Sequence, residues 1–92
     1  MLLVVWATEA EEDLLNIIQF IGERNPSAAE RMAELIKEST WPISEHPMLF
    51  KRSTRMLGCR EIVVHPNYIL VYKIGMAQVE VLRVLHSRQQ YP

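Results

Sequence analysis

Cys59-Arg60-Glu61-Ile62-Val63-Val64-His65-Pro66-Asn67-Tyr68-Ile69-Leu70-Val71-Tyr72-Lys73-Ile74-Gly75-Met76-Ala77-Gln78-Val79-Glu80-Val81-Leu82-Arg83-Val84-Leu85 is the stretch on which the fold turns. It holds three runs rich in β-branched and aromatic residues, broken by Pro66-Asn67 and by Gly75-Met76-Ala77. Such runs read as strands, and connections this short join antiparallel neighbours. The reading is a meander over residues 59–65, 68–74 and 78–85. Alternation puts Tyr68, Leu70, Tyr72 and Ile74 on one face of the second of these strands and Ile69 and Val71 on the other. In the third, Val79, Val81 and Leu85 lie opposite Leu82 and Val84. A sheet with one solvated face shows one apolar and one polar set. Here both sets are apolar, so either the loop before the meander wraps the second face or a partner chain covers it.

That loop, residues 40–57, is the least regular part of the chain. It contains Pro42 and Pro47, and its apolar residues show no period. It reads as a packed loop with one short turn of helix, ending in the basic segment Lys51-Arg52-Ser53-Thr54-Arg55. Before it, Asn25-Pro26 is a helix start, with Asn as cap and Pro at the first helical position. Ala28, Ala29, Met32, Leu35 and Ile36 follow at helical spacing, with Glu30, Glu34 and Glu38 on the solvated side. Earlier still, Ala10, Leu14, Ile17, Ile18 and Ile21 form the stripe of another amphipathic helix. Thr8 with Glu11 suggests a capping box at its start. Residues 2–6 read as a first strand. Two helices joined by so short a link run antiparallel. The expected architecture is therefore α+β, in the order strand–helix–helix–strand–strand–strand. A helical hairpin packs on an antiparallel sheet in a single domain spanning 1–92.

With 92 residues, about half of them apolar, there is material for one modest core. Cys59 is the sole cysteine, which excludes an intrachain disulfide, and without a CxxC or a Cys/His cluster no metal site is expected. The apolar N-terminus is short, lacks a basic start and runs into Glu9 and Glu11, so neither a leader peptide nor a membrane span is read there. A cytoplasmic protein is expected. The net charge of −1 conceals a split. Residues 1–46 carry nine acidic and three basic side chains, whereas residues 47–92 carry seven basic and two acidic. The basic half is the expected meeting place for an acidic partner.

The C-terminal half also resembles a known family. Arg55-Met56-Leu57-Gly58-Cys59-Arg60-Glu61-Ile62-Val63-Val64 is similar to the segment of the RelE/ParE toxins in which a basic residue, a glycine and an Arg-Glu pair enter a strand. His65-Pro66-Asn67-Tyr68-Ile69-Leu70-Val71-Tyr72 resembles the aromatic, hydrophobic strand that follows it. Val79-Glu80-Val81-Leu82-Arg83-Val84-Leu85-His86-Ser87-Arg88 resembles the last strand, closing in His-x-Arg. The helical half agrees in pattern, with Ala10-Glu11-Glu12-Asp13-Leu14 and then Pro26 with Ala28-Ala29.

The resemblance implies the toxin of a bacterial type II toxin–antitoxin system, with a cognate antitoxin as partner and no cofactor, small-molecule substrate or membrane. It leaves two targets. RelE-like members cut mRNA on the ribosome, and ParE-like members poison DNA gyrase. Cleavage through a 2′-hydroxyl needs a base, an acid and cations for the phosphorane charge. The RelE-like nucleases carry an arginine where this chain has Ile69, and commonly a basic residue where it has Ile62. The cationic part of a nuclease site is thus depleted, and the ParE-like target is favoured. If the chain is a nuclease, the catalytic residues implied are Arg60, His86, Arg88 and Tyr91. For target contact the expected residues are Arg55, Arg60, Arg83, His86 and Arg88. For the antitoxin they are Lys51, Arg52, Arg55, Ile69, Val71, Leu82 and Val84.

Overall fold

The computed structural model describes residues 1–89. The elements are β1 (Leu3–Trp6), α1 (Thr8–Gly22), α2 (Pro26–Glu38), α3 (Thr40–Glu45), β2 (Arg60–His65), β3 (Tyr68–Ile74) and β4 (Gln78–His86). The order is the expected one, with the short helical turn of the 40–57 loop realised as α3. Ser44 fastens α3 to β1, its hydroxyl donating to the Leu2 carbonyl at 2.6 Å while its own carbonyl accepts from the Leu2 N–H at 3.1 Å.

The two helix starts differ. Asn25 caps α2 as expected, its Oδ1 accepting from the Ala28 N–H at 3.0 Å with Pro26 behind it. The capping box expected of Thr8 and Glu11 does not form. The helix begins one residue earlier, on Ala7, so Thr8 already lies in the first turn. Glu9 and Glu11 sit in that turn, where the helix dipole favours negative charge.

The sheet has the order β1-β4-β3-β2. β2, β3 and β4 form the antiparallel meander, and β1 adds to β4 in parallel, so the four-stranded sheet is mixed. The helices between β1 and β2 form the long connection that a parallel neighbour requires. The α1–α2 hairpin and α3 cover one face, where Ala10, Ile36 and Ile43 meet Leu70, Tyr72, Val79, Val81 and Val84.

The second face is covered by the chain itself. Cys59 and Met56 pack over Ile69, Val71, Leu85 and Leu82. This explains the doubly apolar β3, a central strand buried on both sides from Tyr68 through Tyr72. Ile69, Val71 and Val84, expected to meet an antitoxin, are buried within the chain.

Two bulges change the face assignments. Val71 pairs with Arg83 and Tyr72 with Val81, leaving Leu82 as an extra residue in β4. Beyond it the alternation inverts, so Val84 joins the helical face and Leu85 the other, the reverse of the reading from strict period two. A second bulge falls at Val64, between the pairs Val63–Ile69 and His65–Tyr68. Among the described residues no helix is long and apolar enough to cross a membrane.

Candidate functional site

The basic half carries four arginines that sequence pattern points toward phosphate or a target, and three of them are held by the fold. Arg60 enters β2 opposite Tyr72. Its Nη1 donates to the Phe50 carbonyl at 2.6 Å and to that of Met48 at 3.4 Å. The Tyr72 hydroxyl donates to the Pro47 carbonyl at 2.6 Å. Together they pin the loop after α3 at the carbonyls of Pro47, Met48 and Phe50. Burial pushes the Tyr72 phenol above its ordinary value, against the opposing pull of Arg60, so it stays protonated as a donor.

Arg55 belongs to a second knot. Strand alternation turns Glu61 to the face opposite Arg60, where its side chain is fully buried. The carboxylate accepts from the Ser53 hydroxyl at 2.9 Å and from Arg55 Nη1 at 3.2 Å, with Lys51 Nζ at 3.3 Å. Arg55 also donates from Nη2 to the Ser87 carbonyl at 3.0 Å, tying the loop to the end of β4. A buried carboxylate needs such partners, and here they fold residues 51–59 over the second sheet face.

Arg83 pairs with Asp13 of α1, at 2.7 Å from Nε and 2.9 Å from Nη2, and Glu9 lies 4.0 Å away. Asp13 Oδ2 also accepts from the Val84 N–H at 2.9 Å. This bidentate clamp fixes α1 against the bulged part of β4. Sequence reading named Arg55, Arg60 and Arg83 but not their partners Glu61 and Asp13. The signal for Glu61 was present, a lone carboxylate in an apolar strand. Asp13 was hidden in the acidic run of α1.

His86 and Arg88 are exposed at the far end of β4. His86 Nδ1 accepts from the Arg88 N–H at 3.1 Å, and Nε2 has no bond among the described residues. Its ring meets Tyr68 edge-on at 5.5 Å, and His65 lies 6.3 Å from Tyr68 on the other side. A groove of about 320 Å³ opens here, lined by Asp13, Asn16, Phe20, Tyr68, His86 and Gln89. Phe20, 69% exposed, was not singled out in the sequence, because it falls off the apolar stripe of α1. The groove holds a potential acid or base in His86, but no arginine lines it among the described residues. Tyr91 lies outside the described residues.

The opposite end of the sheet is apolar. The start of β1, the β3–β4 turn, the loop after α3 and the turn at 56–58 converge there, exposing Met1, Leu3, Met48, Leu49, Leu57 and Met76. A trough of about 920 Å³ runs along β1 to α3. A separate hollow of about 490 Å³ lies between Met48, Leu57, Ile74 and the two arginines Arg52 and Arg60. Among the residues expected to meet an antitoxin, Lys51 and Arg52 are exposed.

Comparison with known proteins matches this architecture to one family. The model described as the ParE toxin of type II toxin-antitoxin system, parDE, covers residues 4–91. Toxin RelE2 of Caulobacter vibrioides is 36% identical over 84 residues, spanning 91% of this chain and 93% of that protein. Among solved structures, the chromosomal ParDE TA system from P. aeruginosa superposes with a TM-score of 0.83 at 18% identity, covering 94% of this chain and 96% of that one. The YoeB/ParE toxin from Agrobacterium tumefaciens gives 0.65 at 16% identity, covering 92% and 98%.

Proposed function

The chain belongs to the ParE toxin family and is the toxin half of a type II toxin–antitoxin pair; we propose that it arrests growth by binding and poisoning DNA gyrase rather than by cutting RNA. The observation that carries this reading is the engagement of Arg55, Arg60 and Arg83 in internal bonds. A cleaving site must stabilise the negative charge that develops on phosphorus, with donors already aimed at it. The groove at His86 offers an imidazole and a phenol and no arginine in its lining, and Ile69 is buried on the far face. A binding toxin needs no such set. It needs an exposed, rigid contact surface, which the end of β4 supplies through His86 and Arg88, held by Tyr68 and by the Arg55–Ser87 bond.

The second reading is a ribosome-dependent mRNA endonuclease. It is favoured by the likeness to Toxin RelE2 and by the accessible Nε2 of His86. The two separate in paired assays with the purified chain, one on ribosome-programmed mRNA and one on gyrase with plasmid DNA. The gyrase reading expects trapped gyrase–DNA cleavage complexes and intact mRNA. Cuts in the mRNA that disappear with His86→Ala would overturn it.

A further inference from the structure

The hollow between the loop after α3 and the start of β2 differs in its charge from the trough along β1 and the groove at His86. Met48, Leu57, Cys59 and Ile74 line it together with Arg52 and Arg60, and among the described residues no carboxylate does. Arg60 is already bonded to the Phe50 and Met48 carbonyls. Arg52 bridges to Arg60 through the backbone, which sets its position, and its exposed guanidinium makes no hydrogen bond or ion pair among the described residues. Lys73 adds positive charge close enough to act on the Cys59 thiol. Of the carboxylates in the sheet, Glu61 is buried under Lys51 and Arg55, and Glu80 pairs in register with Lys73. Glu45 lines the neighbouring hollow with Met48 and Leu49.

Leu57 is 102% exposed, lifted into water by a turn whose next residue, Gly58, has φ +81°. Apart from its two chain neighbours, nothing among the described residues comes within 4 Å of a Cβ placed at Gly58. The left-handed backbone there aims the turn outward, and nothing inside the fold requires a leucine at its tip. A large apolar side chain held in water beside an unpaired arginine is the pattern of a contact surface.

We propose that this hollow seats an acidic segment of the cognate antitoxin, with one large apolar side chain in the hollow beside Leu57 and Met48, and a neighbouring carboxylate on Arg52. The proposal rests on the toxin–antitoxin reading and does not depend on which target the toxin attacks. Charge decides the occupant. One unengaged guanidinium suits a single carboxylate, whereas a nucleic-acid backbone needs several cations in register with its phosphates. The volume, about 490 Å³, falls within the range of side-chain and small-ligand pockets. The larger trough along β1 carries no such signature: its lining holds one lysine, Lys37, and one glutamate, Glu38.

The test uses the full chain, co-expressed with the product of the reading frame beside its gene, and measures that partner's affinity by calorimetry. Arg52→Glu should weaken binding at least tenfold and Leu57→Ser several-fold. Arg88→Glu, at the other end of the sheet, should change it less than twofold. Both Arg52 and Leu57 are exposed, so the free variants should melt as the parent does, which separates lost contact from lost fold. Unchanged affinity in Arg52→Glu and Leu57→Ser would overturn the proposal. So would an equal loss in Arg88→Glu, which would mark a diffuse charge effect. Variants that keep the partner but no longer arrest growth would assign the hollow to the target protein instead. If the parent chain itself binds no such partner, the antitoxin reading falls, a result distinct from the other three.

Discussion

Removing the Asp13 carboxylate tests whether Arg83 is a structural clamp or a target contact. Asp13 accepts from Arg83 Nε at 2.7 Å, from Arg83 Nη2 at 2.9 Å and from the Val84 N–H at 2.9 Å. The two side chains are 15% and 19% exposed. Charge-assisted hydrogen bonds contribute about 1.5–3 kcal/mol each, though not additively at one carboxylate. Breaking a fully buried pair costs about 3–5 kcal/mol. Residual solvent and the nearby Glu9 soften the loss, so Asp13→Ala should cost about 2–4 kcal/mol. The whole domain is expected to be stable by roughly 5–15 kcal/mol. At roughly 4–8 °C per kcal/mol, the midpoint of a circular-dichroism melt should fall by roughly 8–32 °C. Asp13→Asn keeps one acceptor and should lose about half as much. Arg83→Met should also lower the midpoint. If Arg83→Met instead melts within about 2 °C of the parent yet no longer arrests growth, the clamp is incidental and Arg83 acts at the target.

Three further outcomes follow from particular residues. Glu61→Gln breaks the knot with Lys51, Arg55 and Ser53, so labelling of the buried Cys59 thiol by a maleimide should speed up by at least roughly tenfold as the 51–59 loop opens; an unchanged rate would mean that Glu61 does not hold the loop. Burial raises the Cys59 thiol above 9.0 and the Tyr72 phenol above 10.0, with Lys73 and Arg60 opposing. The unfolded chain then loses these protons first, so stability is complete below those ordinary values and declines as pH rises through the raised ones. The urea midpoint should drop above about pH 9, Tyr72→Phe should flatten the later part, and a level profile to about pH 11 would contradict the assignment. Asn25→Ala removes the side-chain N-cap of α2 and should cost about 1 kcal/mol, read as a fall of roughly 4–8 °C in the melt.

The order of elements could be read from the sequence because each rests on a local signal. Asn25-Pro26 starts α2, the 3.6-residue stripe marks α1, and Pro66-Asn67 and Gly75 divide the strands. Face assignment failed at one residue. Leu82 is an extra position in β4, and no local pattern announces a bulge when the residues on both sides are apolar. The side chains expected to meet partners were harder to read than the elements. Charge composition marked the basic half, but it could not say that Arg55, Arg60 and Arg83 would bond to Glu61, to loop carbonyls and to Asp13. Those partners lie 6, 10 and 70 residues away. Arg52 and Arg88, whose side chains have no such partner among the described residues, look no different in the sequence from those that the fold uses.

The central claim is that the chain acts by binding gyrase and not by cutting mRNA. It is tested most directly by pulse-labelling DNA and protein synthesis in bacteria during the first minutes after the chain is expressed without its partner. The account predicts that DNA synthesis stops first while protein synthesis continues, and that a gyrase-resistant background delays the arrest. Immediate loss of protein synthesis with DNA synthesis continuing, abolished by His86→Ala, would contradict it.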